Sequence, residues 1–146
     1  MRKVSFPNEI DGIKVVQDEA EVAKYLNRGE KICRFEWGDS MQPILRHGEY
    51  AVVIPISEYK IDNIKRGDAV FCKMTDSNGD SYYMTHMVWE ISYSGHDAAP
   101  WFKIGSSYNS IYGWTQDILG YAKGMDVFED EEKFYTKLPF SKTLAN

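Results

Sequence analysis

The chain has 146 residues, 43% hydrophobic and 27% charged, with a formal net charge of −5. That length can bury a core without disulfide or metal staples, and the acidic balance argues against a nucleic-acid-binding domain, which needs a basic surplus or stripe. No stretch approaches the ~18 apolar residues of a membrane span, and the start, Met1-Arg2-Lys3-Val4-Ser5-Phe6-Pro7, has no apolar core of a signal peptide. The expectation is a cytoplasmic protein without signal peptide or transmembrane segment.

The first predicted element is a helix over 18–28. Asp18 and Glu21 form a capping box, Val22, Tyr25 and Leu26 follow at helical spacing, and Gly29 stops the run. From there the pattern turns to strands. Residues 32–37 alternate, and 50–55 is a β-branched run halted by Pro55. Residues 69–74 form a third apolar run, and Asn78-Gly79 is a hairpin signal joining it to a strand over 82–92. Residues 101–104 and 118–127 complete the set. The fold class is mainly β: a folded-over sheet or small barrel with one short N-terminal helix. The division is a helical extension at 1–30 packed on the body, a β domain at 31–128, and a tail at 129–146. Within that tail, Glu129-Asp130-Glu131-Glu132 reads as a solvated acidic turn.

Cys33 and Cys72 each sit in an apolar run, as buried thiols do. A disulfide between them stays open, because pairing cannot be read from sequence. There is no Cys-x-x-Cys spacing, and no metal or cofactor is expected.

The segment with chemical content is Gly38-Asp39-Ser40-Met41-Gln42-Pro43. A serine hydroxyl becomes a nucleophile when a base takes its proton and backbone N–H groups receive the oxyanion. A tight turn after a strand can expose the hydroxyl and aim those donors. Gly38, Asp39 and Met41 would shape that turn and its oxyanion donors, with Met41 packing inward. The string resembles the nucleophile box of the signal peptidase I and LexA-like serine peptidase superfamily. Further landmarks follow in that superfamily's order: Arg46-His47-Gly48-Glu49 before a strand, Arg66-Gly67-Asp68 before the next, Thr85-His86-Met87-Val88 where the base is carried, then Lys103-Ile104-Gly105 and Ile118-Leu119-Gly120. The resemblance spans about residues 35–127. It implies Ser40 as nucleophile and His86 as general base, the imidazole shuttling a proton near neutral pH. Lys73 is the rival base, since Ser–Lys dyads also occur in the superfamily.

Two departures bear on activity. The loop that should carry an orienting carboxylate reads Gly105-Ser106-Ser107-Tyr108-Asn109, leaving Ser106 or Asp117 as substitutes. The Ala-Gly or Cys-Gly self-cleavage dipeptide of LexA-like proteins does not occur in residues 1–39. The resemblance therefore implies a serine endopeptidase-like protein acting on an extended peptide or protein segment bound by β-addition. The alternative is a catalytically weak or inactive module for protein–protein binding, assembly or regulation, with Tyr82, Tyr83, Trp89, Trp101, Tyr108, Tyr112 and Trp114 as exposed aromatics. Self-association as a homodimer or larger assembly stays open.

Overall fold

A computed structural model describes residues 6–36, 49–93 and 99–124. The chain order is β1 (Glu9–Ile10), β2 (Ile13–Lys14), α1 (Glu19–Asn27), β3 (Ile32–Phe35), β4 (Tyr50–Pro55), α2 (Ile56–Tyr59), a 3-10 turn (Ile61–Asn63), β5 (Ala69–Thr75), β6 (Ser81–Ser92), β7 (Trp101–Gly105), β8 (Ile111–Thr115) and β9 (Ile118–Gly124). The fold is mainly β, with α1 as the main helix. The β1–β2 hairpin, α2, the 3-10 turn and β8 add to the predicted set. Trp37, Met125, Asp126 and Val127, placed by the sequence at strand ends, and the tail at 129–146 lie outside the described residues.

Local chemistry explains the main elements. The Asp18 carboxylate accepts from the Glu21 N–H at 3.0 Å, capping α1 as its sequence predicts. The β5–β6 hairpin turns through Asp76, whose Oδ1 accepts from the N–H groups of Asn78 and Asp80, both at 2.9 Å.

Seven strands form one sheet in the order β3-β4-β9-β5-β6-β7-β8, and β1 and β2 pair separately. Every named neighbour pair is antiparallel. The order leaves β3 and β8 as edges, so the sheet is open and not a closed barrel. It still curls over on itself: Thr115 at the end of β8 lies three strands from β5, about 14 Å in a flat sheet, yet its short side chain donates from Oγ1 to the Lys73 carbonyl of β5 at 2.6 Å.

β5 is buried on both faces, which is why its sequence is a continuous apolar run. Ala69 and Phe71 join one cluster with Val22 and Leu26 of α1, Ile32, Val53 and Ala122. Val70, Cys72 and Met74 join a second with Val88, Phe102, Ile104 and Ile118, flanked by Ile56, Tyr59 and Ile61. α1 thus covers one face of the sheet, and α2 with the 3-10 turn covers the other. Both cysteines are buried thiols, with no disulfide between them. Burial pushes Cys33 up to about 11 and Cys72 up to about 12, so neither is a thiolate near neutral pH. No described helix is long and apolar enough to cross a membrane.

Candidate active site

Gly38, Asp39, Ser40 and Met41 lie outside the described residues, as do His47 and His96. The frame that holds their segment is described. β3 leads into it and β4 leads out, and the Glu36 N–H donates to the Glu49 carbonyl at 2.9 Å. That bond extends the β3–β4 ladder by one step, so the two ends of segment 37–48 start side by side.

Beneath this frame sits a polar pair that sequence reasoning did not single out. Arg34 Nε and Glu36 Oε1 are 4.0 Å apart, with side chains only 12% and 15% exposed. Arg34 Nε and Nη1 and Glu36 Oε1 are buried without hydrogen-bond partners among the described residues. Burial raises the Glu36 carboxyl above the usual range, and the Arg34 charge opposes it. Alternation along β3 puts both side chains on one face, the only hint available in the sequence.

His86 is carried by β6, directly across from Val70 of β5. Paired residues share a face, so the imidazole stands on the side of the second cluster. Its ring lies 4.6 Å from the Tyr112 ring at 41°. Its Nδ1 is buried and has no hydrogen-bond partner among the described residues. Burial lowers its pKa below the ordinary histidine value, so the ring is neutral at pH 7. A neutral ring with an uncommitted nitrogen can accept a proton.

Lys73 is placed differently. It pairs with Tyr83 and alternates with Val70 and Cys72 along β5, so its side chain leaves the opposite face from His86. Its backbone is tied at the β8–β9 corner: its N–H donates to the Asp117 carbonyl at 2.9 Å, and its carbonyl accepts from Thr115 Oγ1 at 2.6 Å.

The two substitutes for an orienting carboxylate serve local structure. Ser106 is 2% exposed, and its Oγ accepts from the N–H groups of Tyr108 and Ser110, both at 3.1 Å. It organises the β7–β8 turn. Asp117 is exposed, and its backbone N–H donates to Thr115 Oγ1 at 3.0 Å. Neither residue partners His86 Nδ1. The residue packed on His86 is Tyr112, which the sequence marked only as an exposed aromatic.

Close packing fixes the turn beside this ring. A Cβ on Gly105 would meet the Ser110 carbonyl oxygen at 2.5 Å and the Trp89 indole at 2.7 Å. Trp89 Nε1 donates to the Ser106 carbonyl at 3.0 Å. Of the aromatics expected at the surface, Tyr82, Trp101, Tyr108, Tyr112 and Trp114 are exposed. Tyr83 and Trp89 are half-buried, because Tyr83 stacks on Phe71 and Trp89 holds the turn.

Among the described residues, no three His, Cys, Asp or Glu side chains come together in a way that could hold a metal ion. No family model, curated protein or solved structure matches this chain.

Proposed function

We propose that this chain is a serine-endopeptidase-like protein in which Ser40 is the nucleophile and His86 its base. The observation that carries the reading is the buried His86 Nδ1, unpartnered among the described residues and held in a neutral ring. Burying a polar nitrogen without a partner is costly, and such atoms concentrate at functional sites. The reaction is acyl transfer: Ser40 Oγ attacks a peptide carbonyl, His86 takes the hydroxyl proton and returns it to the leaving amine, and backbone N–H groups of the 38–41 turn receive the oxyanion. Tyr112 takes over the orienting of the imidazole by packing on its ring, in place of a carboxylate. A dyad without that carboxylate turns over slowly.

A fluorophosphonate probe tests the reading. Wild type is expected to gain one covalent adduct by intact-mass spectrometry, and Ser40→Ala none. A second reading, a binding module without turnover, is favoured by the exposed Trp101, Tyr108, Tyr112 and Trp114 around β7 and β8. Absence of labelling between about pH 6 and 9, the span around the histidine range, selects that reading.

A further inference from the structure

Arg34 and Glu36 precede Ser40 by six and four residues, Arg34 on β3 and Glu36 just past its end. The Arg34 guanidinium carbon lies 5.7 Å from the centre of the Phe71 ring, within reach of a cation–π contact. Phe71 is fully buried, and the Tyr83 ring stacks on it at 5.6 Å and 12°, which fixes its plane. Phe71 pairs across β5 and β6 with Thr85, the residue before His86. One side chain thus ties the strand that leads toward Ser40 to the two strands that place His86. As a stabiliser the arrangement is poor. Arg34 Nε and Nη1, Glu36 Oε1 and, on the Phe71 face, Thr85 Oγ1 are buried without hydrogen-bond partners among the described residues. The 4.0 Å between Arg34 Nε and Glu36 Oε1 exceeds hydrogen-bond length. Two charges withdrawn from water need close, fully bonded geometry to offset their desolvation, and apolar side chains of similar volume do as well or better.

We propose that Arg34 is a positioning residue for the Ser40–His86 pair, its guanidinium holding the end of β3 against the β5–β6 hairpin through Phe71. The inference rests on the reading of Ser40 and His86 as partners. Phe71 and Thr85 alternate with Val70 and His86 along their strands, so Phe71 stands on the face opposite His86. Arg34 therefore acts through the strands and not by contact with the imidazole. A guanidinium suits this place, because it stays charged, is weakly hydrated and lies well on an aromatic ring. Glu36 is near enough to offset that charge, yet too far to draw the guanidinium off Phe71 by a hydrogen bond.

Ser40→Cys reads the spacing without peptide turnover. Near pH 7, iodoacetamide alkylates a thiol beside a base faster than a free thiol, whose pKa is about 8.5. Peptide mapping separates the new thiol from the buried Cys33 and Cys72. Ser40→Cys should react at least about tenfold faster than Ser40→Cys/His86→Gln, and adding Arg34→Met and Glu36→Leu together should remove at least about tenfold, since an ångström of misplacement costs up to about a hundredfold. Replacing both charges strands neither, so the urea midpoint should not fall. A folded Arg34→Met/Glu36→Leu variant that keeps the Ser40→Cys rate, whatever its midpoint, overturns the inference and leaves the His86 reading standing. If that variant does not fold, Phe71→Leu, which removes the ring under the guanidinium, carries the same expectation. A Ser40→Cys rate indifferent to His86→Gln overturns both the inference and the reading it rests on.

Discussion

At the β3 edge, two residues of the N-terminal segment, Val16 and Gln17, bond the Cys33 carbonyl and both backbone groups of Phe35. At the β8 edge no described segment does so, and aromatic rings stand out from the strand. Among the described residues, a segment runs along the β3 edge, while β8 is tied only at its end, where Thr115 Oγ1 donates to the Lys73 carbonyl of β5. The closed edge adjoins the strands that frame segment 37–48. The β8 edge carries Tyr112, the ring packed against His86. One region frames segment 37–48, while the other carries exposed aromatic rings beside His86, whose Nδ1 is buried.

The two regions also hold buried titratable groups of opposite sign. The raised Glu36 carboxyl favours its neutral form, so its contribution is present at low pH and lost as pH rises through its folded value. The lowered His86 also favours its neutral form, so its contribution is present above the ordinary histidine value near 6.5 and lost as pH falls through its folded value.

The comparison can be broken at either end, and the largest effect belongs to the β8 side. Gly105→Ala must push aside the Ser110 carbonyl and the Trp89 indole. Overpacking of this kind costs about 1–3 kcal/mol, and because one of the clashing atoms is backbone the upper part of that range is expected in urea unfolding. The Tyr112 ring should shift with the turn, seen as a changed His86 imidazole resonance by NMR.

Uncovering the closed edge comes next. Gln17→Ala removes two hydrogen bonds to Phe35, a loss of about 1–2 kcal/mol, and native-state hydrogen exchange should show the Phe35 amide losing protection. Equal protection in wild type and variant would mean that Gln17 is not what closes β3.

The smallest effect is the pH slope. Wild-type stability should fall as pH drops below about 6.5, and His86→Gln should flatten that fall in denaturant melts at matched ionic strength. An unchanged slope would place the acid-side loss on other groups.

How much of this could be read in advance follows from which forces are local. The α1 boundaries were legible because a cap and an apolar stripe act within one turn, and Asp18 bonds Glu21 as its spacing requires. The 50–55 run was legible because β-branched residues end at a proline. The Asp11-Gly12 turn between Ile10 and Ile13 is a hairpin signal, but two-residue strands are too short to display alternation. β8 was not legible: Ile-Tyr-Gly-Trp-Thr follows a polar turn and has glycine at its centre, so only pairing with β7 makes it a strand. At the site, the roles proposed for Ser40 and His86 rest on motif order. The packing of Tyr112 on His86 and the approach of Arg34 to Phe71 needed tertiary structure, since strands distant in sequence supply each contact. The same holds for Ser106, whose hydroxyl is committed to its own turn.

The central claim is that His86, not Lys73, activates Ser40. The most direct measurement is the pH dependence of the fluorophosphonate labelling rate of wild type and His86→Gln. Wild type should gain rate through a single inflection below the ordinary histidine value of about 6.5 and stay flat above it, because burial lowers the His86 pKa, and His86→Gln should lose at least about a hundredfold, the usual contribution of a general base. A rate that keeps rising into the lysine range, or that survives in His86→Gln, would contradict the claim.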